Sequence, residues 1–217
     1  MHWRELLKGS ELYYKEEKRD HFYDEYMKTK DWPAWDGPEL PDSEVRLLFT
    51  FLNQWSTHYP SGPEAVIAFK EAYRIVFPKL QAIGHTKLEE ADLTVSTSEQ
   101  VKDIFEKVAS CGARYEATGA SKILHAIAPQ FFVMWDANIC SGYAVYGTAH
   151  EYAYKFLPRI QKQIHEAIRS YMADFAFGQK NAAKELCQKG GGKPLTKLVD
   201  EYNYAKFTLR LDELWDC

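Results

Sequence analysis

Two charged side chains sit where their neighbours give charge something to do. Asp136 directly follows five apolar residues, Phe131 to Trp135, and precedes Ala137-Asn138-Ile139. A carboxylate in that place caps a helix, which is worth roughly 1 kcal/mol. N–H groups donated by that helix would also hold it ionised beside apolar surface. A charge kept there is suited to stabilising a developing positive charge in an adjoining cleft. Fourteen residues upstream, Lys122 follows Thr118-Gly119-Ala120-Ser121. A glycine and small residues at a helix start let an anion approach unpaired backbone N–H groups, and the helix dipole adds attraction. Gly119, Ala120 and Ser121 are therefore candidate phosphate contacts, with Lys122 reaching the same anion or the space beside it. Taken alone, Asp136 is equally an ordinary N-cap and Lys122 an ordinary surface lysine.

The elements that must position these residues read as helices almost throughout. Glu11 to Lys28 is a charged helix with tyrosines at helical spacing, and the proline-rich stretch 31–42 is a loop. Asp42 or Ser43 can cap a helix running to about His58, with Val45, Leu48, Phe49, Leu52 and Trp55 recurring at the period of a buried face. Pro60-Ser61-Gly62-Pro63 ends it. The next helix spans Glu64 to about Val76, where Pro78 should kink or stop it. Ser96-Thr97-Ser98-Glu99 reads as a capping box for a helix through Val101, Ile104, Phe105 and Val108. Further helices are expected at 120–127, near 137–145, over 148–174 with a kink at Pro158, at 180–188 and from Pro194 to about Tyr204. Only 131–135 and 207–209 have strand character. The fold class is all-α.

Composition bounds the function. The 217 residues are 46% hydrophobic and 15% aromatic, enough for a sizeable core. No apolar run approaches the ~20 residues that span a bilayer, and the start lacks a signal-peptide pattern. Cys111, Cys140, Cys187 and Cys217 are scattered without a C-x-x-C pair, so no disulfide framework, no structural metal and a reducing, cytoplasmic setting are expected. The net charge of −4 is unevenly spread. Residues 1–45 carry twelve acidic against seven basic side chains, whereas Gln179 to Lys197 carries five lysines against Glu185 alone. That stretch is either a solvated lysine-rich face or a nucleic-acid contact. His125 reads as a core histidine. Asp200-Glu201-Tyr202-Asn203-Tyr204 reads as the cap and packing face of the last helix, with Asn203 a weaker candidate for facing a pocket.

Taken in order, the motifs resemble the helix-hairpin-helix (HhH-GPD) DNA glycosylase superfamily. Members carry a helical hairpin with a Gly-rich turn, a lysine just inside its second helix in bifunctional enzymes, then an apolar stretch and an aspartate opening another helix. Here Thr118 to Lys122 and Trp135-Asp136-Ala137-Asn138-Ile139 stand in those places, and Phe51-Leu52-Asn53-Gln54-Trp55-Ser56-Thr57 is similar to the family's upstream Leu-Ser-Gln-Gln-Thr-like signature. The likeness covers about residues 43–145. Only one of two hairpin glycines is kept, Ser141 replaces a frequent arginine, and the cysteine cluster of the iron–sulfur members is missing, so a divergent member without that cluster is implied.

The resemblance implies a central helical lobe, 43–135, and a second lobe of 1–42 plus 136–217, with a cleft between. It implies excision of a damaged or modified base from double-stranded DNA by a monomer without cofactors, with Asp136 and Lys122 catalytic. The hairpin residues Gly119, Ala120 and Ser121 would hold DNA. Asn53, Gln54 and Trp55 would also contact it, with Gln54 or Trp55 filling the position vacated by the flipped base. Trp135, Asn138 and Tyr143, with Tyr146, would line the base pocket. The alternatives are a non-catalytic helical DNA-binding module and a helical protein-interaction domain.

Overall fold

The computed structural model describes residues 1–55, 59, 62–112, 114–176 and 178–211. Helices account for the regular structure, and no strand occurs among the described residues. They are α1 (Trp3–Glu16), α2 (Asp20–Thr29), α3 (Asp42–Gln54), α4 (Pro63–Ile83), α5 (Val95–Ala109), α6 (Ala117–Ile127), α7 (Ala137–Gly142), α8 (Ala149–Glu151), α9 (Leu157–Phe175), α10 (Gln179–Lys189) and α11 (Leu195–Asn203). None of them is long and apolar enough to cross a membrane.

The apolar period explains most of this. On α9, Leu157, Ile160, Ile164, Ala167, Ile168 and Tyr171 recur every three or four residues and all are buried. The same spacing buries Val45, Leu48, Phe49 and Leu52 on α3. The two ends of the chain meet, with α1 packing on α11 and α9, while α2 packs on α3. The α1–α11 crossing is close: a Cβ on Gly9 would lie 2.7 Å from the Tyr202 ring, so glycine is the residue that fits. The N-terminal amine reaches Glu166 at 2.7 Å and ties the chain's start to α9.

Several boundaries differ from the sequence reading. The expected 11–28 helix is two helices, broken at Glu17 to Arg19, and that break matters for the site below. Helix α4 runs through Pro78 to Ile83. Continuing it buries Leu80 and Ile83, about 1.5–3 kcal/mol each, which offsets the ~3 kcal/mol of an interior proline. Helix α5 is capped by Thr94, whose Oγ1 accepts from the Thr97 N–H at 3.2 Å, not by Ser96. Helix α3 follows Pro41 with no side-chain cap and ends at Gln54; His58, Pro60 and Ser61 lie outside the described residues, as do Ser56 and Thr57 of the upstream signature and Cys217.

Where the sequence suggests a kink at Pro158, a π-turn over Tyr152–Phe156, in which the Leu157 N–H bonds the Tyr152 carbonyl, leads into α9, and Pro158 falls in the first turn of that helix. A second π-turn, Tyr204–Thr208, continues α11 and replaces the strand character read at 207–209. Phe131 closes a turn and residues 132–135 form no regular element, Val133 pairing with a side chain instead of a neighbouring strand. Tyr152 Oη donates to the Val133 carbonyl at 2.7 Å and accepts from its N–H at 3.1 Å.

A candidate active site around Lys122 and Asp136

Helix α6 and the segment 131–135 are fastened together, and this fixes the site. Ser121 Oγ accepts from the Trp135 N–H at 3.2 Å and donates to the Thr118 carbonyl at 2.9 Å. Trp135 Nε1 donates to the Ala117 carbonyl at 3.2 Å. One turn on, His125 Nδ1 bonds the Phe132 carbonyl at 2.7 Å while Nε2 meets Tyr23 Oη at 2.9 Å. Burial lowers the His125 pKa to about 3, so the ring is neutral, and it is the core histidine the sequence suggested. That segment thereby delivers Asp136 to the start of α7. Asp136 Oδ1 accepts from the Ile139 N–H at 2.8 Å, the N-cap bond, and Oδ2 accepts from Thr208 Oγ1 at 2.8 Å.

Beside this junction lies a cavity of about 160 Å³. Lys122 and Thr118 enter it from α6, Trp135 and Asp136 from the segment before α7, and Trp55 from the end of α3. The chain's two ends supply the remaining wall: Tyr13, Glu17 and Arg19 on one side, Asp200 and Tyr204 on the other. Lys122 is half-buried and its Nζ lies 4.9 Å from the Trp55 ring centre. Among the described residues it makes neither a hydrogen bond nor an ion pair. Burial draws its amine down to about 8, against the attraction of Asp200 and Asp136. At pH 7 roughly a tenth of such a lysine is neutral, against well under a thousandth of a free one.

Behind the cavity is a buried ionic cluster. Lys197, fully enclosed, places Nζ 3.1 Å from Asp20 Oδ1 and 3.4 Å from both Asp200 Oδ2 and Glu201 Oε1. Lys193 reaches Glu201 at 2.6 Å, and Ser10 donates to the other Glu201 oxygen. Burial opposes the charge on Lys197, but Tyr13, Glu201, Asp20 and Asp200 outweigh it and hold the ammonium above the ordinary lysine range. For Asp200 burial dominates and pushes the carboxyl up to about 7, against the pull of Lys197. Of the five lysines of the basic stretch, Lys197 is thus buried and Lys193 half-buried in ion pairs, whereas Lys180, Lys184 and Lys189 remain exposed on α10.

The structure brings together Lys122, Asp136, Trp55 and Trp135 of the residues singled out by sequence. It separates the rest. Ala120 and Ser121 have no exposed surface, and the Ala120 N–H already bonds the Glu116 carbonyl, so neither offers a face to phosphate. The helix starts at Ala117, three residues earlier than expected, which puts Gly119 inside its first turn. Its lack of a side chain serves packing: a Cβ would lie 2.7 Å from the Tyr59 ring. Gly119→Ala is accordingly expected to cost about 1–3 kcal/mol through overpacking, read as a lower urea midpoint. Trp55 is 6% exposed and forms cavity wall, so it cannot fill a vacated position in a duplex; Asn53 and Gln54 beside it are exposed. Asn138 is exposed and Tyr146 is 89% exposed, both outside the cavity lining. Tyr143 lies beyond that lining, where its hydroxyl bonds Gln163 at 2.6 Å and Asn203 at 2.9 Å.

Sequence reasoning missed Glu17, Arg19, Asp200 and Tyr204. The first pair shows only as a break between two helices. For Asp200 a signal existed: Lys197, Asp200 and Glu201 share one face of a short helix that also carries Leu195, Leu198 and Val199, and every residue of α11 is buried. Among the described residues no group of histidine, cysteine or acidic side chains is placed to hold a metal ion. Comparison with protein-family models, curated proteins and solved structures gave no match.

Proposed function

We propose that this protein is a DNA glycosylase that cleaves the N-glycosidic bond of a flipped base, with Lys122 as nucleophile and Asp136 as the stabilising carboxylate. The observation that carries this reading is the meeting of both side chains in one aromatic-walled cavity, with the lysine free of ion pairs among the described residues and its amine drawn to about 8.

The chemistry follows from charge. Glycosidic cleavage passes through an oxocarbenium-like state, which a fixed carboxylate stabilises. Asp136 is held in place on both oxygens and needs no rearrangement to do so. The base must first leave the stack, at a few kcal/mol, and enter a pocket with aromatic walls. A cavity of about 160 Å³ accepts a single ring, since a closed cavity of ~150 Å³ holds benzene. Gln54, exposed and adjacent in sequence to Trp55 of the cavity wall, would occupy the position the base leaves. The neutral amine of Lys122 then attacks the sugar carbon, giving a Schiff base and strand cleavage.

Duplexes carrying uracil, thymine glycol, 5-hydroxymethyluracil, 8-oxoguanine, hypoxanthine or 3-methyladenine, and modified phage DNA, test this by mass spectrometry of released base. Release from at least one supports the proposal. DNA binding without release would favour a non-catalytic reader, and absence of salt-dependent binding would favour a protein-interaction domain. The lysine makes a further prediction. Borohydride trapping at a preformed abasic site should rise with pH through about 8 and then level off, because only the deprotonated amine attacks. A flat profile from pH 6 to 9 would remove Lys122 from this role.

A further inference from the structure

Three carboxylates line the cavity, and their oxygens are not equally committed. Glu17 Oε1 accepts from the Arg19 backbone N–H at 2.9 Å and from its Nε at 2.8 Å. Its Oε2 accepts from Arg19 Nη2 at 2.6 Å and Tyr204 Oη at 3.1 Å. Asp136 uses Oδ1 for the α7 N-cap and Oδ2 for Thr208. Asp200 differs. Its Oδ2 accepts from Lys197 at 3.4 Å, whereas Oδ1 accepts no hydrogen bond among the described residues. Nor is Oδ1 one of the sealed, unpartnered atoms, which among the described residues are Asp20 Oδ2, Tyr26 Oη and Asn203 Nδ2. With the side chain lining the cavity and only 5% of the residue exposed, that oxygen opens onto the cavity itself.

We infer that Asp200 is a third catalytic residue, the general acid that delivers a proton to the departing base. The inference rests on the glycosylase reading above. One proton serves both partners. It passes from the Lys122 ammonium to the Asp200 carboxylate, directly or through one water, leaving a neutral amine and a neutral acid. The amine lone pair then forms the bond to the sugar C1′ while the glycosidic C–N bond breaks. That bond's electron pair goes to the base nitrogen, which takes the proton from Asp200. The products are a positively charged secondary amine on C1′, a neutral free base and the Asp200 carboxylate, so charge is conserved throughout. Burial favours this exchange because it places the two groups about one unit apart, near 8 for Lys122 and near 7 for Asp200. The Lys197 cluster holds Asp200 by Oδ2 and so keeps Oδ1 turned to the cavity.

Two assays on the full chain separate this role from its neighbours. The first follows release from whichever duplex of the panel above the wild type processes fastest. The second follows borohydride trapping at a preformed abasic site, where no base remains to leave. Asp200→Asn is expected to lose at least about 100-fold in release, the low end for a general acid, while trapping stays within about threefold of wild type. Release unchanged in Asp200→Asn, or release and trapping lost to the same extent, would overturn the assignment. Should the variant fail to fold, the wild type alone decides. Its release rate should be bell-shaped, falling below about pH 7 and above about pH 8, while trapping shows no alkaline fall. Release that rises to an alkaline plateau contradicts a general acid. A wild type that traps at abasic sites but releases no base from any duplex also contradicts it, and one inert in both assays overturns the glycosylase reading as well.

Discussion

Asp136→Asn is expected to lower the rate of base release by about 10²–10³-fold, the usual loss when one preorganised stabiliser of transition-state charge is removed. The variant isolates charge from structure unusually well. Asparagine caps a helix about as well as aspartate does, so its oxygen keeps the bond to the Ile139 N–H, and its amide nitrogen can donate to Thr208 Oγ1 where the carboxylate accepted. Only the negative charge beside the cavity is lost. Single-turnover release from the processed duplex, with a thermal melt alongside, reads both consequences. A large rate loss with an unchanged melting temperature is the expected result. A rate within about threefold of wild type would return Asp136 to the role of a simple cap.

The largest effect on stability should come from Lys197→Met. Methionine matches the length of the aliphatic stem but removes the cation that faces Asp20, Asp200 and Glu201 inside the protein. Breaking a buried pair from one side typically costs about 3–5 kcal/mol, because charges are left uncompensated. Here three carboxylates lose a partner, and Lys193 reaches only two of them, Glu201 at 2.6 Å and Asp20 at 3.8 Å. Against a total stability of roughly 5–15 kcal/mol, that loss leaves a marginal fold. Urea unfolding should show a much lower midpoint, recovered in part at acidic pH as the carboxylates take up protons. A midpoint close to wild type would mean that the cluster contributes little beyond filling space.

What the sequence conveyed and what it withheld divide along distance. Helices α3, α5 and α9 were legible because an apolar residue every three or four positions is a local signal, and Asp136 stood out because it interrupts an apolar run. Gly119 stands out in the sequence as an anion contact, and in the fold it makes room for a ring. Its neighbour Tyr59 lies sixty residues away, and a glycine at a helix start looks the same whether it makes room for an anion or for a ring. Asp200 reads as helix packing in the sequence because two of the charges that act on it, Lys122 and Asp20, come from α6 and from the start of α2. The wall formed by Glu17 and Arg19 depends on a helix break that an unbroken charged pattern from Glu11 to Lys28 conceals. The all-α class was therefore legible, as was the pair Lys122 and Asp136. The surroundings that give that pair its electrostatics were not.

The most direct test of the central claim is to trap the protein on an abasic-site duplex with borohydride, digest it, and locate the modified residue by mass spectrometry. The account predicts one covalent adduct, on the peptide containing Lys122, that disappears in Lys122→Ala. An adduct confined to the N-terminal amine or to an exposed lysine of α10, or no adduct together with no released base, would contradict it.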